Sequence, residues 1–129
     1  MNRFQRAPWL YFGYKIFFGN GNGCSSPIGR QTFFLYWLFG QQVTLGSTCY
    51  EFSTVVHEIG HSLGVHHEHS RTGRDAAIRA LYDNGLTEEL SNFQVYETRN
   101  FNTEYDYYSV MHYGPMVKEL SDNTLFTSQ

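Results

Sequence analysis

One stretch of fifteen residues, His57 to Arg71 (HEIGHSLGVHHEHSR), constrains this chain more than any other. It holds all but one of the six histidines, together with Glu58 and Glu68. Residues four apart on an α-helix lie one turn apart on the same face. His57 and His61 therefore offer two imidazoles to one point, with Glu58 beside them. Gly64 is the residue that can leave the helix through a left-handed backbone. A turn there lets His67 reach the same point from below. Three neutral imidazoles around one open position describe a catalytic zinc site, because a structural site closes with a fourth protein ligand. Val55, Val56, Ile59 and Leu63 recur at helical spacing and are expected to bury the opposite side of the helix as core. Ser53 or Thr54 is expected to cap its start.

A second motif follows at Ser109-Val110-Met111-His112-Tyr113. The order H-E-x-x-H-x-x-G-x-x-H, then a methionine turn, is the metzincin pattern. Glu68-His69-Ser70-Arg71, Arg74-Asp75 and the strings GNGCSSPIGR (21–30) and NFNTEYDYYSVMHYG (100–114) narrow it further. Between about Tyr14 and Gly114 the sequence resembles the astacin family of secreted zinc endopeptidases.

The resemblance implies an α+β, metzincin or zincin-like fold. It has a twisted mixed β-sheet, an edge strand over the cleft, an active-site helix carrying the zinc ligands, and here a truncated lower subdomain. It implies one catalytic Zn2+ on His57, His61 and His67. His66 is one residue short of the required spacing, and His69 is expected behind the ligands or at the surface. Glu58 would take a proton from the metal-activated water and return it to the leaving amine. The plain alternatives are an ordinary solvated carboxylate for Glu58, which its place between two zinc ligands disfavours, and a core tyrosine for Tyr113. In the family, the tyrosine at Tyr113 is a weak, displaceable zinc ligand that swings to donate to the developing oxyanion. Met111 would form an apolar floor beneath the histidines. Glu68 would meet a buried amino terminus, and Arg71, Arg74 and Asp75 would form a charged structural cluster. Gly73 stands where the family usually has aspartate, and His112 has no assigned role. A disulfide between Cys24 and Cys49 is implied as well, two unpaired thiols being the alternative. Closing that loop would stabilise by about 3 kcal/mol. The expected partner is an extended polypeptide adding to the edge strand.

Composition removes other classes. With 129 residues and 41% apolar side chains, the chain is long and apolar enough for one domain with a core. A formal charge of −3 gives no basic face for nucleic acid and no polybasic membrane patch. Apolar runs fall short of the roughly 18 residues that span a bilayer. Met1 to Phe18 imitates a signal peptide, but Pro8, Gly13 and Lys15 interrupt it. A secreted, extracellular location follows from the resemblance alone.

The rest reads as punctuation around these motifs. Tyr14 to Phe18 and Gln42 to Gly46 read as strands, with Gly19 to Gly23 as a loop between elements. Thr32 to Phe39 (TFFLYWLF) departs from the family as an atypical apolar insertion. It is uncharged and β-prone, and reads either as a hydrophobic hairpin tip or as a stretch foreign to the coding sequence. Ala76 to Asp83 suits helix or strand, Asn84-Gly85 a turn, and Ser121-Asp122-Asn123 a weak hairpin. Residues 1–129 are thus expected to be a single peptidase domain, incomplete at both ends and folding poorly alone. The alternative function is a zinc-binding but catalytically incompetent fragment.

Overall fold

A computed structural model describes residues 5–8, 11–80, 91–113 and 126–128. The chain divides into two compact units, Met1–Val65 and His66–Gln129.

The first unit is built on a three-stranded mixed sheet of β1 (Ile16–Gly19), β2 (Cys24–Ser25) and β3 (Gln41–Leu45), in the order β1-β3-β2. β1 runs parallel to β3, from Ile16 opposite Gln41 to Gly19 opposite Thr44. β2 is antiparallel to it, with Cys24 opposite Leu45. The central strand alternates as a half-buried strand should: Gln41, Val43 and Leu45 point inward. Val43 and Leu45 join Cys49 in the core, against which Ile16 and Val55 pack. Cys24 and Cys49 form a disulfide, which ties the edge strand to the segment after β3. Two parallel strands need a crossover between them, and α1 (Phe34–Phe39) lies on it.

That helix corrects the expectation of a hairpin within residues 32–39. Short apolar runs suit either period, and here the local ring contacts favour the helical one. Phe34 and Trp37, one turn apart, stack at 5.9 Å, and Phe12 stacks on Trp37 at 6.3 Å. Gly40, at φ +88°, ends the helix and donates its N–H to the carbonyl of Tyr36 (2.8 Å).

The long helix, α2 (Phe52–Ser62), starts earlier than its capping signals implied. Glu51 precedes it without a side-chain cap, and the N–H of Val55 closes the first turn on the carbonyl of Glu51 (3.1 Å). Ser53 and Thr54 are inside the helix. The apolar stripe is also less of a core than its spacing suggested. Val55 packs on the core cluster, Val56 and Ile59 are half-buried, and Leu63 is 60% exposed. The helix instead buries Glu58, His61 and Ser62. A helix turns polar groups inward when partners wait there, and the hydroxyls of Ser62 and Ser26 meet at 2.6 Å.

The described part of the second unit includes single 3₁₀ turns at Glu68–Ser70 and Arg74–Ala76. β4 (Ile78–Ala80) follows and pairs antiparallel with β5 (Phe126–Ser128). The ambiguous run from Ala76 therefore resolves as a strand from Ile78. The expected turns at Asn84-Gly85 and Ser121–Asn123 lie outside the described residues. Ile78 and Phe93 form the core, with Ala77, Ala80, Tyr105 and Tyr113 against them. Arg74 is buried beside that core. Its Nη1 donates to the carbonyl of His69 (2.7 Å), its Nη2 to that of Phe93 (3.1 Å), and its Nε to Asp75. Gly73, where the family usually has aspartate, holds φ +82°.

In the first unit, Gly46 leaves no room for a side chain. Its N–H donates to the carbonyl of Gly23 (2.8 Å), and an added Cβ would sit 2.9 Å from the carbonyl oxygen of Gly21 and 3.0 Å from that of Gly23. Both obstacles are backbone, so Gly46→Ala is expected to destabilise by about 1–3 kcal/mol, read from the urea midpoint. A change under about 0.5 kcal/mol would show that the glycine-rich loop yields freely.

Candidate metal centre

The end of α2 is made by one recurrent hydrogen-bonded motif, and that motif also orients a candidate ligand. The N–H of Val65 donates to the carbonyl of Gly60 (3.0 Å), and the N–H of Gly64 to that of His61 (2.8 Å). Gly64 sits between them at φ +93°. This is a Schellman cap, with glycine at the one position that demands a left-handed backbone. It leaves the carbonyl of Val65 within 2.9 Å of Nδ1 of His61. A carbonyl can only accept, so Nδ1 carries the proton and Nε2 keeps its lone pair. A metal-ligating histidine needs that tautomer. The carbonyl of His61 accepts a further bond from the N–H of Gly29 (2.7 Å), which joins the segment after β2 to the ligand helix.

His57 and His61 meet edge to face at 4.6 Å on α2, as the four-residue spacing requires. One ligating atom from each of His57, His61 and His67 falls within 4.8 Å of the others. These are the three histidines selected by spacing. His66 takes another direction, its ring 5.1 Å from that of Tyr96. His69 is fully buried, not at the surface, with Nε2 against the carbonyl of Asn92 and Nδ1 against the N–H of Tyr113.

Glu58 is only 5% exposed, and its Oε2 finds no hydrogen-bond partner among the described residues. Burial pushes its carboxyl above the usual carboxylate range, and the neighbouring His57 opposes that in part. A buried carboxylate oxygen left without a donor is costly unless something polar occupies the space beside it. Three convergent imidazoles, His61 among them held in the ligating tautomer, and a buried carboxylate oxygen needing a donor fit a zinc ion carrying a water.

The methionine turn is two successive bends. The N–H of Ser109 reaches the carbonyl of Asp106 (3.2 Å), and that of His112 the carbonyl of Ser109 (2.9 Å). Met111 is buried, and its carbonyl accepts the N–H of Glu68 (2.9 Å). Tyr113 is half-buried, its ring 4.5 Å from that of His67. His112, unassigned from sequence, accepts from the Tyr105 hydroxyl at Nε2 (2.6 Å) and donates from Nδ1 to the carbonyl of Tyr113. Burial, then the carboxylate of Glu68, push the Tyr105 phenol well above its ordinary range, so it remains a donor. The carboxylate of Glu68 is itself met by Nη1 of Arg71 (2.7 Å) and by the N–H of Asp106 (3.0 Å). Sequence reasoning did not find the parts played by Asn92, Tyr105 and Asp106. Asn92 and Asp106 act through backbone atoms, which no residue type announces.

A mixed sheet, one long helix bearing two imidazoles, a third beyond a glycine cap, and a methionine turn define a zinc protein of the metzincin class. Residues 4–129 match the family model of the astacin peptidases. The protein SpAN of Strongylocentrotus purpuratus is 42% identical over 102 residues, covering 77% of this chain. Meprin A subunit alpha of Mus musculus is 41% identical over 103 residues, covering 78%. The solved structure of High choriolytic enzyme 1, a hatching enzyme zinc-protease from Oryzias latipes, superimposes with a TM-score of 0.82 at 28% identity over 96% of the chain. This chain belongs to the astacin family. It spans 16% of the length of SpAN, 13% of that of the meprin subunit and 58% of the solved hatching-enzyme chain.

Any side chain at position 64 must adopt φ +93°, which costs a non-glycine residue about 1–2 kcal/mol. Relief of that strain would move the carbonyl of Val65 away from His61. Gly64→Ala is therefore expected to weaken zinc binding by about tenfold or more, measured by competition with a chromophoric chelator. Unchanged affinity would mean that the cap does not orient the ligand.

Proposed function

We propose that this chain carries the catalytic centre of a zinc-dependent endopeptidase that hydrolyses internal bonds of extended polypeptides. The convergence of His57, His61 and His67 beside a buried Glu58, whose Oε2 has no hydrogen-bond partner among the described residues, supports it most. In this reading the three imidazoles hold the ion, and His61 is oriented by the Val65 carbonyl. When bound, the zinc lowers the pKa of its water and polarises the scissile carbonyl. Glu58 takes the water's proton and delivers it to the leaving amine. Burial raises the proton affinity of its carboxyl, which favours its taking a proton. Tyr113 donates a hydrogen bond to the developing oxyanion, a role that a neutral phenol fills without becoming charged. Met111 stays buried and takes no part in proton transfer.

Substrate would add to the first unit as a strand. Among the described residues β2 pairs with β3 on one side and with no strand on the other, so its backbone can pair with an extended peptide. The disulfide and the bond from Gly29 to His61 tie the ends of that edge segment to the core and to the ligand helix. A disulfide also fits an oxidising, extracellular location. No helix among the described residues is long and apolar enough to cross a membrane.

The test is expression of the chain, zinc analysis and a casein-cleavage assay. One zinc per chain is expected, with cleavage that a chelator abolishes and added zinc restores. Glu58→Gln is expected to keep the zinc and lose cleavage by a factor of about 10² or more. If this variant cleaves like its parent, Glu58 is not the base. Stoichiometric zinc without any cleavage would leave a metal-binding chain that does not turn over.

A further inference from the structure

His69 touches both groups that the proposed chemistry sets side by side. Its ring is nearly parallel to that of His67, at 5.0 Å and 16°, and lies 4.3 Å from that of Tyr113. With His67 and Tyr113 themselves at 4.5 Å, the three rings form a closed triangle. His69 is fully buried, and its hydrogen bonds specify its tautomer. Nε2 faces the carbonyl of Asn92 (3.2 Å), which can only accept, so Nε2 carries the proton. Nδ1 is then an acceptor, and the backbone N–H of Tyr113 donates to it (3.3 Å). The peptide of Tyr113 is therefore gripped at its N–H by His69 and at its carbonyl by His112. The carbonyl of His69 is itself held by Nη1 of buried Arg74. A backbone held on both sides leaves the Tyr113 side chain few degrees of freedom beyond its own torsions.

We infer that His69 is a positioning residue: it holds the backbone of Tyr113 and spaces the tyrosine ring from the zinc ligand His67. This deepens the proposed function, since it concerns how the tyrosine is presented to the reaction. A histidine that only filled space could be replaced by a ring of similar size without consequence. One that positions through Nδ1 could not.

The test uses two variants and two readouts in the full chain. His69→Phe keeps an aromatic ring and loses both nitrogens. His69→Asn keeps an acceptor near the place of Nδ1. Without metal, amide hydrogen exchange at Tyr113 is expected to quicken about tenfold in His69→Phe, the factor one ordinary hydrogen bond supplies. The amide of Glu68, bonded to the carbonyl of Met111, should keep its rate. Loss of mere packing would quicken both amides together and overturn the inference. In the zinc-loaded protein, His69→Phe is expected to lower kcat by about ten- to a hundredfold, with zinc content and KM little changed. His69→Asn should recover most of that loss. In a Tyr113→Phe background the same substitution should cost little more, since the group being positioned is gone. A loss of equal size in both backgrounds, or one confined to zinc content, would also overturn it. Should His69→Phe not fold, the exchange rates and the Tyr113→Phe cycle on His69→Asn decide, with Tyr113 protected and activity near that of the parent as the supporting result. If the parent chain shows no zinc-dependent cleavage, the functional proposal fails, while the exchange experiment still judges the positioning role.

Discussion

The cap at Gly64 is the constraint on which the metal centre depends. A helix must satisfy the carbonyls of its last turn, and here the N–H groups of Gly64 and Val65 do so by folding the chain back on itself. The same fold gives the Val65 carbonyl to the imidazole of His61. Ending the helix and fixing the ligand's tautomer are therefore one structural event. The close approach of Gly29 and Gly64 reinforces it: a Cβ on either would lie 3.6 Å from the other's Cα, and both residues have positive φ. Gly29 adds its N–H to the carbonyl of His61, so the cap is braced from the edge-strand side.

The second unit solves a different problem, that of a small interior filled with polar side chains. Arg74, His69 and Ser70 are all buried there, beside the core cluster of Ile78 and Phe93. Burying a guanidinium is costly unless its donors are met, and Arg74 meets the carbonyls of His69 and Phe93 together with Asp75. Ser70 and His69 both turn to the carbonyl of Asn92. Such an interior contributes less to stability than an apolar one of equal volume. It fixes directions, which is what a turn carrying Met111 and Tyr113 requires.

How much of this was legible in the sequence follows from the reach of each interaction. His57, His61, Glu58 and Gly64 were legible because helical period and a single left-handed residue determine their places within a few positions. His67 followed from the same local geometry. The α1 helix was misread because TFFLYWLF has no charged residue, and only the hydroxyls of Thr32 at its edge and of Tyr36, to mark a period. The stripe from Val55 to Leu63 was over-read, because periodicity reports which residues share a face and not which face is covered. His69 could not be placed, since its partners are the carbonyl of Asn92, 23 positions on, and the N–H of Tyr113, 44 positions on. Backbone atoms carry no residue signature, so polar interiors of this kind stay hidden until the chain is folded.

Glu68 shows how a charge can be accounted for within the described structure. The family resemblance led one to expect a buried amino terminus beside this carboxylate. Among the described residues, Oε1 accepts from Arg71 and from the N–H of Asp106, while Arg71 also donates to the carbonyls of Thr103 and Glu104. The pair is largely shielded from solvent, at 13% and 15% side-chain exposure, so these bonds are screened less than surface pairs are. Their acceptors and donors all lie on residues 103–106, the approach to the methionine turn. Together with the bond from the N–H of Glu68 to the carbonyl of Met111, they fasten that approach at both ends to the turn just after His67. The charged cluster after the third histidine thus has a positional purpose: it sets where the methionine turn begins and so where Tyr113 can stand.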